Sequence, residues 1–450
     1  MLFRKIESFI REYLTSDSNK ILVIDGARQI GKSYIIREVG KDLYKENYIE
    51  INFVEDKQGP QLFKNINTIE DFYFTLSTIA GEKMKGKENT LVFIDEIQVY
   101  PQFITLLKFL KQDNKYTYIA SGSLLGVTLS NIGSIPIGSM EIKRMYQLDF
   151  EEFLIANGFS KEAIKILENK FLARETLDEA MHDKLLDLFK KYLIVGGLPD
   201  AVNEFLKTRN VVAIRKIQED IKTFYGEDAS QYDIENKLKI KRIYDYIPSV
   251  MQNTKKRIVA KDIEGIVGKR FANYVNEFDY LISSGIALEV KAISNPVFPL
   301  IQSADKNLLK LYMNDVGLLS GILYNNNAKP ILEDVRSVNL GALYETAVAG
   351  QLKALGHKLF YYDNRNNGEV DFMIDDYDNL AVLPVEVKSG RDYTTHSALN
   401  HFITNDNYPV KAGYVLSNER EIKTVGKITY FPIYFVMFLK PISSADEVLI

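Results

Sequence analysis

Residues Gly26-Ala27-Arg28-Gln29-Ile30-Gly31-Lys32-Ser33 match the pattern G-x-x-x-x-G-K-[ST] in full. An apolar run at residues 21–24 comes directly before this segment, and a stretch of helical periodicity follows it. In such a loop the glycines let backbone amides wrap around phosphate oxygens at the start of a helix. Lys32 would contact the outer phosphates and Ser33 would ligate Mg²⁺. The sequence therefore predicts a site for ATP and Mg²⁺ at residues 26–33.

A second apolar run, residues 91–94, ends in the adjacent carboxylates Asp95 and Glu96. In a nucleotide hydrolase Asp95 would hold the water shell of the metal and Glu96 would polarise the attacking water. A strand at 48–53 lies between the two motifs, which places the chain in the AAA-like branch of P-loop proteins. The next run, 116–120, is followed by Ser121-Gly122-Ser123. We expect one of these serines, with Ser121 the candidate, to sense the γ-phosphate; the alternative is a helix-capping turn.

The composition limits the chemistry that is open to this chain. Its 450 residues are about three times the usual size of one domain. Cysteine is absent, which excludes disulfides, Cys-ligated zinc, iron–sulfur clusters and thiol catalysis. The net charge of -4 arises from 56 basic and 60 acidic residues, so no global basic field points to nucleic acid. A nucleic-acid partner would have to be bound by a local patch.

Neither end of the sequence resembles a targeting or membrane segment. The apolar run 430–439 is about half the length that a membrane span needs and contains Pro432, so we interpret it as a buried strand. The first 14 residues mix charged and apolar side chains at helical spacing, unlike a secretory signal. We expect a cytoplasmic protein without a membrane partner.

The periodicity predicts an α/β chain of four parts. Strands alternate with helices over residues 1–150, which indicates a P-loop AAA-like domain with a parallel sheet. Residues 151–233 show only helical spacing and are interpreted as a helical lid. Residues 234–330 are read as helices followed by a strand pair with a turn at Asn295-Pro296, the outline of a winged-helix module. Residues 331–450 return to strands and helices, which predicts a second α/β domain.

Taken together, these motifs resemble the uncharacterised bacterial and archaeal AAA-type ATPases that carry a C-terminal domain of unknown function. The resemblance implies ATP hydrolysis and leaves an oligomer open. Members often carry a basic residue after the glycine equivalent to Gly138, where this chain has Ser139. If that basic residue acts on nucleotide, its role is vacant here or has moved to Lys143 or Arg144, so no arginine finger is assigned. The similar stretches are residues 26–33, 95–98, 121–127, 148–154, 196–199, 311–319 and 341–390.

A basic segment lies in the centre of this net-acidic chain. Between residues 236 and 270 ten side chains are basic and three are acidic. Such a stripe suits phosphate contacts, so DNA is a candidate partner through residues 236–270, with 269–284 as the expected recognition helix. The alternative is a solvated face, or an intramolecular clamp on the ATPase.

Three carboxylates and a lysine near the C-terminus follow an order that is typical of a metal-dependent site. Strand alternation places Asp371 on one face of its strand and puts Glu386 and Lys388 together on the next, while Glu345 lies at the edge of a helix stripe upstream. This order resembles the PD-(D/E)xK nuclease superfamily. The resemblance implies Mg²⁺ or Mn²⁺ bound by Glu345, Asp371 and Glu386, with Lys388 activating water. The same scaffold is also used for binding without cleavage.

Two functions from different classes therefore remain open. The first is ATP-dependent action on nucleic acid through the winged helix and the nuclease-like domain. The second is a signalling switch in which ATP hydrolysis resets a conformation and the C-terminal fold binds a partner without cleaving it.

Overall fold

The computed structural model describes residues 2–52, 62–64, 66, 68–123, 125, 137–232, 237–266, 268–305, 308–335, 338–390 and 392–441. Phe53, Leu124, Gly126, Val127 and residues 234–236, which the predictions include, lie outside them. Apart from the first two residues, the chain divides into two compact units. The first comprises residues 3–146 and 279–285, and the second comprises 147–278 and 286–450. No helix in the described part of the chain has the length and apolarity of a membrane span.

A five-stranded parallel sheet forms the centre of the first unit. Its strand order is β2-β3-β4-β1-β5, and each neighbouring pair is parallel. The parallel sheet predicted from the sequence is confirmed, but β5 was not predicted because its short, mixed sequence has only one fully buried residue. The strands are β1 (Ile21–Asp25), β2 (Tyr48–Asn52), β3 (Leu91–Asp95), β4 (Thr117–Gly122) and β5 (Met140–Arg144).

Among the described residues of this unit, the long helices beside the sheet are α1 (Lys5–Thr15), α2 (Lys32–Tyr44), α3 (Ile69–Ala80) and α4 (Pro101–Asp113). Helix α3 begins after Thr68, whose hydroxyl accepts a hydrogen bond from the backbone N–H of Asp71 at 3.1 Å. Helix α4 begins with Pro101, which is well placed there because the first turn has no use for its missing N–H. One apolar core joins α3 and α4 to the sheet and includes Phe72 and Leu107. The sheet is therefore covered by helices, as in other parallel sheets.

The second unit begins with the helices that the sequence predicted as a lid. Asp149 and Glu152 form a reciprocal capping box at the start of the first of them. The described helices are α5 (Phe150–Ala156), α6 (Lys161–Ala173), α7 (Glu179–Val195), α8 (Pro199–Thr208), α9 (Val211–Tyr232), α10 (Lys237–Met251), α11 (Ala260–Glu264), α12 (Val275–Ser283), α13 (Val316–Tyr324), α14 (Lys329–Leu332), α15 (Gly341–Ala354) and α16 (Ser397–Ile403). Helix α12 ends within the first unit. The expected recognition helix at 269–284 is split into a 3₁₀ turn, Phe271–Asn273, and α12.

An eight-stranded mixed sheet completes the second unit. Its order is β12-β13-β11-β10-β9-β8-β6-β7. Between β9 and β10 the chain turns at residues 377–380. The strands are β6 (Ala287–Ile293), β7 (Leu309–Met313), β8 (Phe360–Asn364), β9 (Gly368–Asp376), β10 (Ala381–Val387), β11 (Gly413–Ser417), β12 (Lys423–Val425) and β13 (Ile428–Pro432).

The strand pair that was predicted as a wing is part of this larger sheet. β6 and β7 pair antiparallel as expected, but β6 also pairs in parallel with β8. All five residues of β7 are buried, which a solvated wing would not allow. The predicted boundary at residue 330 therefore divides a continuous sheet, because apolar burial on both faces joins the strand pair to the C-terminal domain.

The apolar run at 430–439 is only partly a strand. Strand β13 ends at Pro432, and the chain continues as a 3₁₀ helix, Ile433–Phe438, whose six residues are all buried. Proline lacks the N–H that a strand needs to continue its ladder. The prediction of burial is confirmed and the prediction of one continuous strand is wrong, since a fully apolar run does not reveal its period.

Candidate nucleotide site

The phosphate loop lies where parallel strand β1 gives way to helix α2. Gly31, the residue before the helix, has φ 89°, and Gly26 has φ 149°. A Cβ at Gly26 would overlap the carbonyl oxygen of Met145, so only glycine fits where the loop begins. The backbone from Gly26 to Gly31 thus has the tight curvature that the motif predicted. The free backbone N–H groups at the start of α2 can bind an anion.

Lys32 is buried at the centre of the loop. Its ammonium group donates to the carbonyl oxygens of Gly26 at 2.8 Å and Ala27 at 2.7 Å. Burial lowers the pKa of Lys32, and the carboxylates of Glu96, Asp25 and Asp95 oppose that change. The lysine therefore lies within the loop, held by two of its backbone carbonyl oxygens.

Asp95, at the end of β3, gathers side chains from three other elements. Its Oδ1 accepts hydrogen bonds from Ser33 at 2.9 Å and from Ser121, and its Oδ2 accepts one from Asn52 at 3.0 Å. Burial raises the pKa of Asp95, with Ser121 opposing the change and Glu96 adding to it. The structure thus brings the predicted metal-site residues Ser33 and Asp95 into contact and adds Ser121. Oxygen ligands of this kind suit Mg²⁺.

Glu96 is held in an unusual backbone conformation directly after Asp95. Its φ is 53° and its ψ 44°, in the left-handed region that non-glycine residues seldom adopt. Its Oε2 accepts hydrogen bonds from the amide of Gln98 and from the hydroxyl of Ser123 at 3.3 Å. Arg28 donates to the same hydroxyl at 3.1 Å. Glu96 is therefore oriented by polar partners, as a residue that positions water must be.

Sequence reasoning gave no role to two residues of this site. Asn52 ends β2, and because the carboxyl ends of parallel strands meet at one edge of a sheet, its polar side chain at that position was a usable signal. Gln98 also donates to Ser123 at 3.1 Å, and its own Oε1 is buried without a hydrogen-bond partner. A Cβ at Gly122 would overlap that oxygen. Only the folded turn after β3 shows that Gln98 faces Glu96.

Arg144 links the start of the loop to the end of helix α12. Its guanidinium donates to the carbonyl oxygens of Ile282 and Ser283, both at 3.1 Å, and lies 3.8 Å from the carboxylate of Asp25. Burial raises the pKa of Asp25, and Arg144 and Lys32 oppose the rise. Cations near the last carbonyls of a helix stabilise it. Arg144, one of two residues considered for a displaced basic role, is thus engaged as a helix cap within this unit.

The C-terminal candidates lie in the second unit, where the structure places them together. Glu345 on α15 is buried and accepts a hydrogen bond from the Tyr312 hydroxyl at 3.0 Å. Asp371 on β9 accepts one from the backbone N–H of Val387 at 2.8 Å. Glu386 on β10 pairs with Lys388 at 2.8 Å. Burial, together with Glu386 and Glu345, raises the pKa of Asp371 well above its ordinary value, because neighbouring carboxylates disfavour its ionised form.

The basic segment is extensively paired with acidic groups of its own chain. Among its basic residues whose side chains the structure describes, five lie within 4 Å of a carboxylate. The pairs are Lys239 with Glu277, Arg242 and Lys269 with Glu264, Lys256 with Glu345, and Arg257 with Asp363. Lys255, Lys261 and Arg270 are exposed. Much of the positive charge is therefore neutralised inside the chain.

Comparison with known families divides the chain into three matched regions. Residues 18–154 match the model of an AAA domain. Residues 186–329 match a domain of unknown function, DUF8612, and residues 340–436 match another, DUF4143. The chain is 24% identical over 363 residues to an uncharacterised protein, MJ1544, of Methanocaldococcus jannaschii, covering 79% of this chain and 72% of that protein.

Solved structures show weaker likeness. The Walker-type ATPase PABY2304 of Pyrococcus abyssi aligns over 71% of this chain and 95% of its own, with a TM-score of 0.40 and 13% identity. The Orc1 protein of Aeropyrum pernix, solved in complex with DNA, aligns over 74% and 92%, with a TM-score of 0.31 and 12% identity. The family match at residues 18–154, together with the parallel sheet and the phosphate loop, supports an AAA-type ATPase family.

Proposed function

We propose that the chain binds ATP with Mg²⁺ at residues 26–33 and hydrolyses it, with Glu96 orienting the attacking water. The observation that carries this proposal is the contact of Ser33, Asn52 and Ser121 with the single carboxylate of Asp95. Three other elements converge on this residue, next to a glutamate held by polar partners. Phosphoryl transfer requires positioning and charge stabilisation, which such a preorganised group supplies.

In this mechanism the residues have separate tasks. Lys32 and the loop amides bind the phosphates, and Ser33 would ligate Mg²⁺ directly while Asp95 holds its water shell. Ser121 and Ser123 lie beside Asp95 and Glu96, where a hydroxyl can report on the γ-phosphate. Mg²⁺ supplies neutralisation of the developing charge when it is bound.

Turnover of ATP by the wild type and by Glu96→Gln tests this proposal. The variant keeps the size and hydrogen-bonding ability of the side chain but cannot accept a proton from water. We expect nucleotide affinity to be retained and turnover to fall by roughly 100-fold. If Glu96→Gln turned over ATP at the wild-type rate, Glu96 would not orient the attacking water. If the wild type showed no turnover, only the ATP-binding part of the proposal would stand.

We propose that ATP hydrolysis drives a conformational switch, and that the C-terminal fold binds a partner without cleaving it. The ion pairs of the basic segment support it, since Lys256 and Arg257 are engaged by Glu345 and Asp363 within the second unit. Positive charge that is already paired releases few counterions on binding DNA. The central segment then acts as an intramolecular clamp rather than as a nucleic-acid surface.

Action on nucleic acid through residues 236–270 and a nuclease-like domain is the second candidate. The meeting of Asp371, Glu386 and Lys388 on adjacent strands favours it. Anisotropy of labelled duplex and single-stranded DNA across a salt titration separates the two. The switch predicts weak binding that is unchanged when exposed Lys255, Lys261 and Arg270 are reversed to glutamate. A steep salt dependence that this reversal flattens would establish nucleic acid as the partner.

A further inference from the structure

The ammonium group of Lys256 lies beside Glu345, one of the three carboxylates that the resemblance to nucleases assigns to a metal. It contacts Oε1 of Glu345, and its side chain is only 14% exposed. Burial lowers the pKa of Lys256, but Glu345 and Asp371 outweigh that effect and raise it. The lysine thus reaches Glu345 from a segment that is 89 positions away in sequence.

The position of Lys256 is set by its neighbours on both sides. The backbone N–H of Ile258 donates to the carbonyl oxygen of Leu309 in β7 at 3.0 Å. The guanidinium of Arg257 pairs with Asp363 in β8 at 3.2 Å. Lys255, one residue earlier, is exposed. Residues 257 and 258 are thus attached to the sheet at two points, and Lys256 contacts Glu345 on helix α15.

The carboxylate oxygens are largely engaged by protein donors. Glu345 uses one oxygen for Lys256 and the other for Tyr312, and Asp371 uses one for the backbone of Val387. Glu386 pairs with Lys388 through Oε1, while its Oε2 is buried without a hydrogen-bond partner. Protein cations therefore engage Glu345 and Glu386 directly, and one buried carboxylate oxygen of Glu386 has no hydrogen-bond partner.

These residues do not fit a divalent metal as they stand. Among the described residues, no three His, Asp or Glu side chains approach closely enough to hold a metal ion. Mg²⁺ requires near-octahedral oxygen ligands at about 2.1 Å, and a positively charged lysine within the group repels it. The metal ligands predicted from the nuclease resemblance are near one another, but protein cations engage them.

We propose that Glu345, Asp371 and Glu386 form a site for a primary ammonium ion, filled by Lys256 of the same chain in place of a divalent metal. The resulting ion pair attaches the 256–258 segment to helix α15 and to the adjacent strands β9 and β10. A divalent cation binds this group only when Lys256 is withdrawn. Loss of the lysine leaves buried carboxylates uncompensated, which is strongly unfavourable.

The test uses the full-length chain without nucleotide. Lys256→Met removes the charge and keeps most of the length, and Lys255→Met is the matched exposed control. We expect Lys256→Met to lower the thermal midpoint by roughly 5 °C, with no change in the control. Adding Glu345→Gln to Lys256→Met should recover part of that loss, because the orphaned charge is removed. If Lys256→Met fails to fold, Lys256→Arg should keep the wild-type midpoint, and the double variant takes its place.

Competition between Lys256 and a divalent cation is tested with Mn²⁺ alone. Binding is measured as the decrease in the electron paramagnetic resonance signal of free Mn²⁺. Wild type and Lys255→Met should bind none at this group, whereas Lys256→Met, or the double variant if the single one does not fold, should gain a site that Asp371→Asn abolishes. Wild-type protein that binds Mn²⁺ as tightly as the lysine variant, through a site lost in Asp371→Asn, would overturn the proposal. An unchanged midpoint in Lys256→Met, or no recovery by Glu345→Gln, would show that the lysine does not compensate these charges.

Discussion

The backbone N–H of Gly197 donates a hydrogen bond to Oδ2 of Asp315 at 2.7 Å, across 118 positions of sequence. Asp315 also caps helix α13 by accepting from the N–H of Leu318 at 3.1 Å. Gly196, with φ 72°, lies against the same carboxylate. The glycine break between helices α7 and α8 and the start of α13 are therefore one structural feature of the second unit, held by a buried aspartate.

We expect Gly197→Ala to destabilise the second unit by roughly 3 kcal/mol. A Cβ at this position would overlap the backbone of Leu148, and backbone atoms cannot rotate away as a side chain can. Chemical denaturation measures the loss. Gly350→Ala in helix α15 is the control, since a Cβ there meets nothing within 4 Å, and alanine favours a helix. Equal stability of the two variants would contradict the close approach.

Asp315 should make stability depend on pH. Burial raises its pKa from 3.8 to about 6, against the opposing hydrogen bond from Gly197. Because the folded pKa lies above the unfolded one, its contribution is fully present below about pH 4 and is lost as pH rises through 6. The loss amounts to about 3 kcal/mol.

Urea denaturation of Asp315→Asn between pH 4.5 and 7.5 tests this dependence. The asparagine keeps an acceptor for Gly197 but does not ionise. We expect the variant to lose less stability than the wild type as pH rises across this range. Parallel pH profiles for the two proteins would show that Asp315 ionises equally well in the folded and unfolded chain.

Lys32→Ala should weaken ATP binding by roughly 10- to 100-fold, because the phosphates lose a charged hydrogen-bond donor. Calorimetric titration of ATP in the presence of Mg²⁺ measures the affinity. Lys83→Ala, at an exposed position of the same unit, is the matched control and should bind as the wild type does. Full affinity in Lys32→Ala would move the phosphate contact to another residue.

Gln98→Ala should lower kcat by roughly 10-fold while the Kd for ATP stays unchanged. The amide of Gln98 donates hydrogen bonds to Glu96 and Ser123, which lie outside residues 26–33. Single-turnover kinetics separates the chemical step from binding. Exposed Gln102→Ala serves as the control. A parallel loss of affinity and rate would indicate general damage to the site instead of misplacement of Glu96.

The predictable part of this protein follows from local chemistry. A glycine-rich loop between an apolar strand and a helix has few possible conformations, so residues 26–33 were located without a structure. The carboxylates of Asp95 and Glu96 were located in the same way, because a buried parallel strand must end where its apolar run ends. Alternation along β9 and β10 likewise placed Asp371 near Glu386.

Tertiary structure alone decided which charges meet. Lys256 and Glu345 are 89 positions apart, and only folding of the second unit shows that the lysine enters the predicted metal group. The same holds for β6 and β7, whose pairing was predictable but whose union with β8 was not. Periodicity reports which face of an element is buried, whereas the partner that buries it depends on long-range packing that no local pattern encodes.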